Sequence, residues 1–282
     1  MVRETFRRNL RAAIHIQPAT MNRLAAHWSE YAMEATCLAL FMISAAGTAT
    51  LLQHPASPLA GWSNAPLLQR IPMGLAMGLT NAALVYSPLG ARSGAHMNPA
   101  VTLTFLRLRK IAPVDAAGYV VAQFVGGFAG IALATFALGG LPAHPAVNYV
   151  ATVPGSAGAV IAFGAEALMS FLLMVLVLRM ANTPGLARFT GAGASLLVAT
   201  YIVVEAPFSG MSLNPARTFA SNVLASMWST LWVYFVAPPL GMLLASEWYL
   251  RRSQQVPVRC AKLHHPRSVR CIFHCRHEEP AA

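Results

Sequence analysis

The chain has 282 residues, of which 56% are hydrophobic and 10% charged, where an ordinary soluble domain carries about 25% charged residues. That balance excludes a water-soluble enzyme as the default. The net charge of +11 would in a soluble chain point to a nucleic-acid partner, so the placement of the charges decides its meaning.

Apolar runs of spanning length fall at about 31–52, 67–88, 114–138, 157–180, 187–207 and 228–250. A helix needs roughly twenty such residues to cross a hydrocarbon core of about 30 Å. The expected organisation is therefore a segment 1–30, a membrane-embedded unit 31–250 built of two halves (about 31–138 and 157–250), and a basic tail 251–282 holding Cys and His residues. Residues 1–30 interleave Arg3, Arg7, Arg8, Arg11 and Arg23 with polar residues, which does not read as a signal peptide and places the N-terminus in the cytoplasm. With that orientation, 18 of the 20 lysines and arginines fall on the inside, and only Arg70 and Arg217 lie outside. The basic excess is a topology signal with some attraction to anionic lipid, and no nucleic-acid partner is expected. Both termini are expected to be cytoplasmic, with the plasma membrane as the location. Gly126 and Gly130, four apart in the third span, mark a close helix contact. Cys37 falls in the first span and Cys260, Cys271 and Cys275 in the tail, so no disulfide framework is implied.

An internal repeat carries the chemistry. Ser93-Gly94-Ala95-His96-Met97-Asn98-Pro99-Ala100-Val101-Thr102 follows the second span, and Ser209-Gly210-Met211-Ser212-Leu213-Asn214-Pro215-Ala216-Arg217-Thr218 follows the fifth. Six of ten positions match. Three spans separate the copies, so they lie on opposite sides of the membrane, an inverted repeat of the kind that builds pathways at the midplane. Each copy reads as an Asn cap, Pro at the first helical position and a short apolar helix, Ala100 to about Leu106 and Ala216 to about Leu224. Helices this short can only re-enter, and two of them meeting from opposite sides bring their positive ends together at the centre.

The paired Asn-Pro-Ala boxes, the second followed by Arg217, resemble the aquaporin and glycerol facilitator family, the major intrinsic proteins, over about residues 30–250. Glu34, Glu166, Tyr119, Gln123, Gly126 and Pro238 add to the resemblance. It implies an all-α membrane protein, a right-handed aquaporin-like bundle of six transmembrane helices and two re-entrant half-helices, assembled as a homotetramer with one pore per protomer. Asn98 and Asn214 are expected to cap the half-helices and to donate to a passing solute. Glu34 and Glu166 are expected to accept hydrogen bonds from the loops before the half-helices, although two ionisable groups in an inverted repeat also suit a proton-coupled transporter. By gap-free spacing the resemblance assigns the outer filter to Gly78, Ile202, Met211 and Arg217, which would make it wide and weakly polar. Thr218, Tyr234 and Phe235 point instead toward the water-channel subclass.

His96 is expected near the cytoplasmic vestibule, packed or responsive to pH. Glu205 has no counterpart in the family pattern; it could pair with Arg217, face the vestibule or sit solvated at a helix end. Cys271, His274 and Cys275 are the weak metal candidates of a tail, also holding Cys260, His264, His265 and His277, that is expected to be disordered; no metal and no cofactor are assigned. The resulting expectation is a passive channel for water and other small uncharged solutes in contact with membrane lipid, without catalysis. A glycerol, urea, ammonia, peroxide or metalloid facilitator with little water selectivity is the alternative within channels.

Overall fold

The structure, a computed structural model, describes residues 18–252, 257–266 and 268–275. Arg3, Arg7, Arg8, Arg11, Arg267, Arg276 and His277 lie outside the described residues. Six long helices carry the fold: α1 (Pro18–Gln53), α2 (Pro66–Tyr86), α5 (Pro113–Ala137), α6 (Gly158–Asn182), α7 (Thr190–Val204) and α10 (Leu231–Arg252). Between them lie four short ones: α3 (Pro88–Ser93), α4 (Pro99–Arg107), α8 (Ala206–Ser209) and α9 (Pro215–Leu224). No strand occurs among the described residues.

Four segments are long and apolar enough to cross a membrane on length and composition: Asn22–Gln53, Pro113–Ala137, Gly158–Asn182 and Ala187–Val204. α2 and α10 are of similar length but carry Gln69 and Arg70, and Glu247, Arg251 and Arg252, which dilute their apolar character. The first helix begins at Pro18 rather than near residue 31. Its polar opening turns are held by Asp115, which accepts from His27 Nδ1 and from the Tyr31 hydroxyl, both at 2.7 Å. Asp115 also stands at the start of α5 and favours the positive end of that helix.

The elements pair as the inverted repeat requires. α1 packs along α5, α6 packs along α10, and α2 meets α7 across the two halves. Missing side chains permit these approaches. A Cβ on Gly126 would strike the Ala35 backbone, and one on Gly130 the Ala39 backbone, so the four-residue glycine spacing is the α1–α5 seam. Gly241 plays the same part against Ala167 in the second half. Tyr119 of α5 donates its hydroxyl to the Ser93 carbonyl, and Tyr234 of α10 donates to the Ser209 carbonyl at 2.6 Å, tying each long helix to the loop it supports.

The two half-helices α4 and α9 lie where the pattern of caps puts them. Each starts with proline directly after its asparagine, and each asparagine accepts from a backbone N–H of its own first turn.

Candidate functional site

The loops before α4 and α9 share one backbone path. Gly94, Ala95 and Met97 in the first, and Gly210, Met211 and Leu213 in the second, all have positive φ, between 47° and 99°. Non-glycine residues rarely hold that conformation unless their surroundings fix it. Here the fixing groups are the two buried glutamates. Glu34 Oε1 accepts from the Met97 backbone N–H and, at 2.8 Å, from Gln123 Nε2. Glu166 accepts from the backbone of Ser212 and of Leu213, each at 2.7 Å, and from the Ser209 hydroxyl at 2.7 Å. Both carboxylates are fully buried and neither lines the central cavity.

At the centre the two asparagines lock the loops to each other. Asn98 Nδ2 donates to the Leu213 carbonyl and Asn214 Nδ2 to the Met97 carbonyl, both at 2.7 Å. Their Oδ1 atoms accept from Ala100 N at 2.8 Å and from Ala216 N at 3.1 Å. A primary amide has two N–H groups, so each asparagine retains one after this crossed pairing. Pro99, Ala100, Pro215 and Ala216 are buried in the first turns behind them.

A cavity of about 680 Å³ runs past this junction. Asn98, Asn214, Arg217, Ile202, Met211 and His96 all line it. Arg217 Nη1 is shielded from solvent and meets no acceptor among the described residues. That donor is available to whatever occupies the cavity.

Gly78 does not belong to this lining. A Cβ there would lie 2.8 Å from Ala199 Cβ and 3.0 Å from the Ser195 carbonyl, so Gly78 sits in the α2–α7 seam together with Gly74. The α2 residues that do face the cavity are Gln69, Arg70, Met73, Met77 and Asn81, and Gln69, Met73, Met77 and Asn81 follow at successive four-residue steps along one stripe. Met77 therefore takes the place assigned to Gly78, one residue away on the helix. The wall differs accordingly: a flexible thioether stands where no side chain was expected, and it lines the cavity together with Ile202, Met211 and Arg217.

Glu205 does not pair with Arg217 within ion-pair distance. Its Oε2 receives the Ser209 hydroxyl at 3.0 Å, the same hydroxyl that reaches Glu166. His96 is packed: it is 3% exposed, stacked between Phe105 and Phe273, with Nδ1 at 3.0 Å from Thr102 Oγ1. Its Nε2 lies 2.8 Å from the Ala261 carbonyl, which can only accept, so Nε2 carries the proton.

That contact corrects the expectation of a disordered tail. Residues 257–266 and 268–275 lie against the basic end of the bundle. Leu263 N donates to the Gly94 carbonyl at 3.2 Å, and the Leu263 side chain lines the cavity. Lys262 is buried and donates to the carbonyls of Ala91 and Arg270; burial lowers its pKa. His274 is held by the end of α4, its N–H on the Lys110 carbonyl and its Nδ1 on that of Arg109. The thiols of Cys260, Cys271 and Cys275 instead gather with His265. A hydrogen bond from Cys260, aided by His265, holds the Cys271 thiol below the ordinary thiol range against the opposing effect of burial. Cysteine and histidine spacing was the available signal, but it did not single out Cys260 and His265, because the cluster closes only when the tail folds back.

The sequence profile of the family described as Major intrinsic protein matches residues 21–249. The chain belongs to the major intrinsic proteins. Its relatives include a glycerol uptake facilitator protein-like 6 of Lactiplantibacillus plantarum, 35% identical over 218 residues, covering 74% of this chain and 92% of the relative. A probable aquaporin of the NIP type from Nicotiana alata is 35% identical over 185 residues, covering 64% of this chain and 66% of the relative. Among solved structures, the aquaglyceroporin from Plasmodium falciparum superposes with a TM-score of 0.64 at 20% identity, covering 79% of this chain and 95% of that one. This major intrinsic protein is thus an integral membrane protein of aquaporin-like fold, and the crossed asparagines are the meeting point of its two inverted halves.

Proposed function

We propose that the protein is a passive channel for water and small uncharged solutes. The observation that carries this reading is the lining itself: at the junction the cavity offers the spare amide N–H groups of Asn98 and Asn214 and the unpartnered Arg217 Nη1, beside the apolar side chains of Met77, Ile202 and Met211. Such donors suit a neutral oxygen-bearing solute. The positive ends of α4 and α9 converge there and oppose cations, as in the general account of aquaporin-type selectivity.

The burial of Glu34 and Glu166 behind the loops argues against proton coupling. The hydrogen bonds these carboxylates accept from Met97, Ser212, Leu213, Ser209 and Gln123 brace the loops, and neither residue lines the cavity. With Met77 rather than Gly78 in the lining, the α2 wall carries a bulky side chain, which favours water and slim solutes over bulkier ones. By family membership we take the assembly to be a homotetramer with one pore per protomer, in the plasma membrane. The basic ends, on the face where Arg270 Nη2 meets the Ala26 carbonyl and Arg107 meets Glu247, are then cytoplasmic. Among the described residues the lining offers no nucleophile paired with a base, and no catalysis is assigned. Stopped-flow swelling and shrinking of proteoliposomes across water, glycerol, urea and peroxide tests the reading. Water permeability above protein-free liposomes supports it; liposomes holding folded protein that remain as tight as lipid alone refute it.

A further inference from the structure

The tail cluster has the chemistry and the dimensions of a metal site. The ligand atoms of Cys260, His265, Cys271 and Cys275 all lie within 4.8 Å of one another, with the sulfurs of Cys260 and Cys271 3.6 Å apart and Cys275 Sγ 3.2 Å from His265 Nε2. A tetrahedral zinc ion with Zn–S of about 2.3 Å and Zn–N of about 2.0 Å has ligand–ligand edges of roughly 3.5 to 3.8 Å. The 3.6 Å and 3.2 Å separations fall in or near that range already, and the widest needs a contraction of only about 1 Å. Three thiolates and one imidazole select a soft, tetrahedral divalent ion over calcium or magnesium. His265, Cys271 and Cys275 are only partly buried, so an ion has access from solvent.

We propose that these four residues bind one zinc ion, and that the ion clasps the tail over the cytoplasmic mouth of the pore as a removable plug. In the complex all three cysteines are thiolates, whatever protons their thiols still hold passing to solvent, and the site carries a net charge of −1 beside the buried Lys262. The clasp has a mechanical purpose. The segment is irregular and makes few backbone hydrogen bonds of its own, Val269 N to Pro266 O and Cys275 N to Phe273 O among them, so ordering it against the bundle is entropically unfavourable without a cross-link. Cys260 lies next to Ala261, whose carbonyl accepts a hydrogen bond from His96 Nε2, and Cys271 and Cys275 bracket Phe273, which stacks on the same imidazole. The ion therefore ties together both ends of the loop that carries Leu263 into the cavity. Removing it frees Leu263 and Phe273 to leave, and with them the obstruction.

The site itself is independent of the channel reading; the plug rests on it, and the test separates the two. Full-length protein purified without chelator is assayed for zinc by mass spectrometry, and apoprotein is titrated with Co²⁺, whose tetrahedral thiolate complex has distinct charge-transfer and visible bands. About one metal per chain and those bands are expected. Both should be lost in Cys271→Ser/Cys275→Ser and kept in His274→Ala. In proteoliposomes, stripping zinc from wild type with a membrane-permeant chelator should raise water permeability, readdition of zinc should restore it, and the double variant should match stripped wild type with no response to zinc. The chelation arm uses unmutated protein, so misfolding of a variant does not obscure it. Failure to bind zinc or cobalt, or equal binding by the double variant, overturns the site. Stoichiometric zinc whose removal leaves water flux unchanged overturns the plug.

Discussion

Met77→Ala and Gly78→Ala are adjacent substitutions with opposite expected consequences, because the α2 helix turns the first residue toward the cavity and the second into the seam with α7. At Gly78 the new methyl would sit 2.8 Å from Ala199 Cβ and 3.0 Å from a backbone oxygen of Ser195. Neither neighbour is the end of a flexible chain, so the helices must separate. Overpacking of this kind costs about 1–3 kcal/mol. At Met77 the loss is three side-chain atoms beyond Cβ. In a dry core a Met→Ala change costs about 2–5 kcal/mol, but here the space opens onto a water-accessible path and fills with water, so the cost lies at or below the lower end. The functional effect is the larger one: the cavity widens at the α2 wall. Thermal unfolding in detergent should show a lowered midpoint for Gly78→Ala, with unchanged ratios of glycerol to water permeability for the protein that remains folded. Met77→Ala should raise glycerol permeability relative to water in stopped-flow measurements. A Gly78→Ala variant that keeps its stability but shifts solute selectivity, beside a Met77→Ala variant that shifts nothing, would refute the placement of α2.

Glu166→Gln should lower folded yield and the unfolding midpoint, because a carboxylate that accepts from Ser212 N, Leu213 N and Ser209 is replaced by a group with one acceptor and one donor facing N–H groups; one buried charge-assisted bond lost and one N–H left unsatisfied amount to about 3–5 kcal/mol, and an unchanged midpoint would contradict its bracing role. Gly126→Val should block folding or assembly in size-exclusion chromatography, since its side chain would enter the Ala35 backbone; a well-folded variant would show that α1 and α5 do not meet there. Tyr234→Phe removes the hydroxyl that holds the Ser209 carbonyl and should reduce stability by about 1 kcal/mol, measured by the same unfolding assay, with no loss expected if that bond is not formed.

Much of this architecture was legible because its signals are local or symmetric. The Asn-Pro-Ala boxes predict both half-helices to within a residue, since cap and N1 proline act on their own first turn. The pair Glu34 and Glu166 stands out because carboxylates in apolar spans must have partners, and the loops supply them. Gly126 and Gly130 are readable from spacing alone. Gly78 was not, because it was counted back from Asn98 through residues 87–94, where α3 and its Ser87 cap break the helical register. Both faces of α2 are apolar, so the pattern could not say which of two neighbouring residues faces the cavity. Helix α1 was cut short because its first turns are polar and are stabilised by Asp115, about 90 residues away in the chain. The tail reads as disordered by composition, and its order comes from contacts with residues 91–110 that no local pattern announces.

The claim that the crossed asparagines, converging half-helices and Arg217 form a passive path for neutral molecules alone is tested most directly by measuring water and proton movement in the same proteoliposomes. Vesicles loaded with a pH-sensitive dye are subjected in turn to an osmotic step and to a pH step under a clamped membrane potential. The account predicts water permeability well above that of lipid alone, unaffected by the pH gradient, with proton flux no greater than in protein-free vesicles. Proton entry that rises with the amount of folded protein, or solute accumulation driven uphill by the pH gradient, would contradict it.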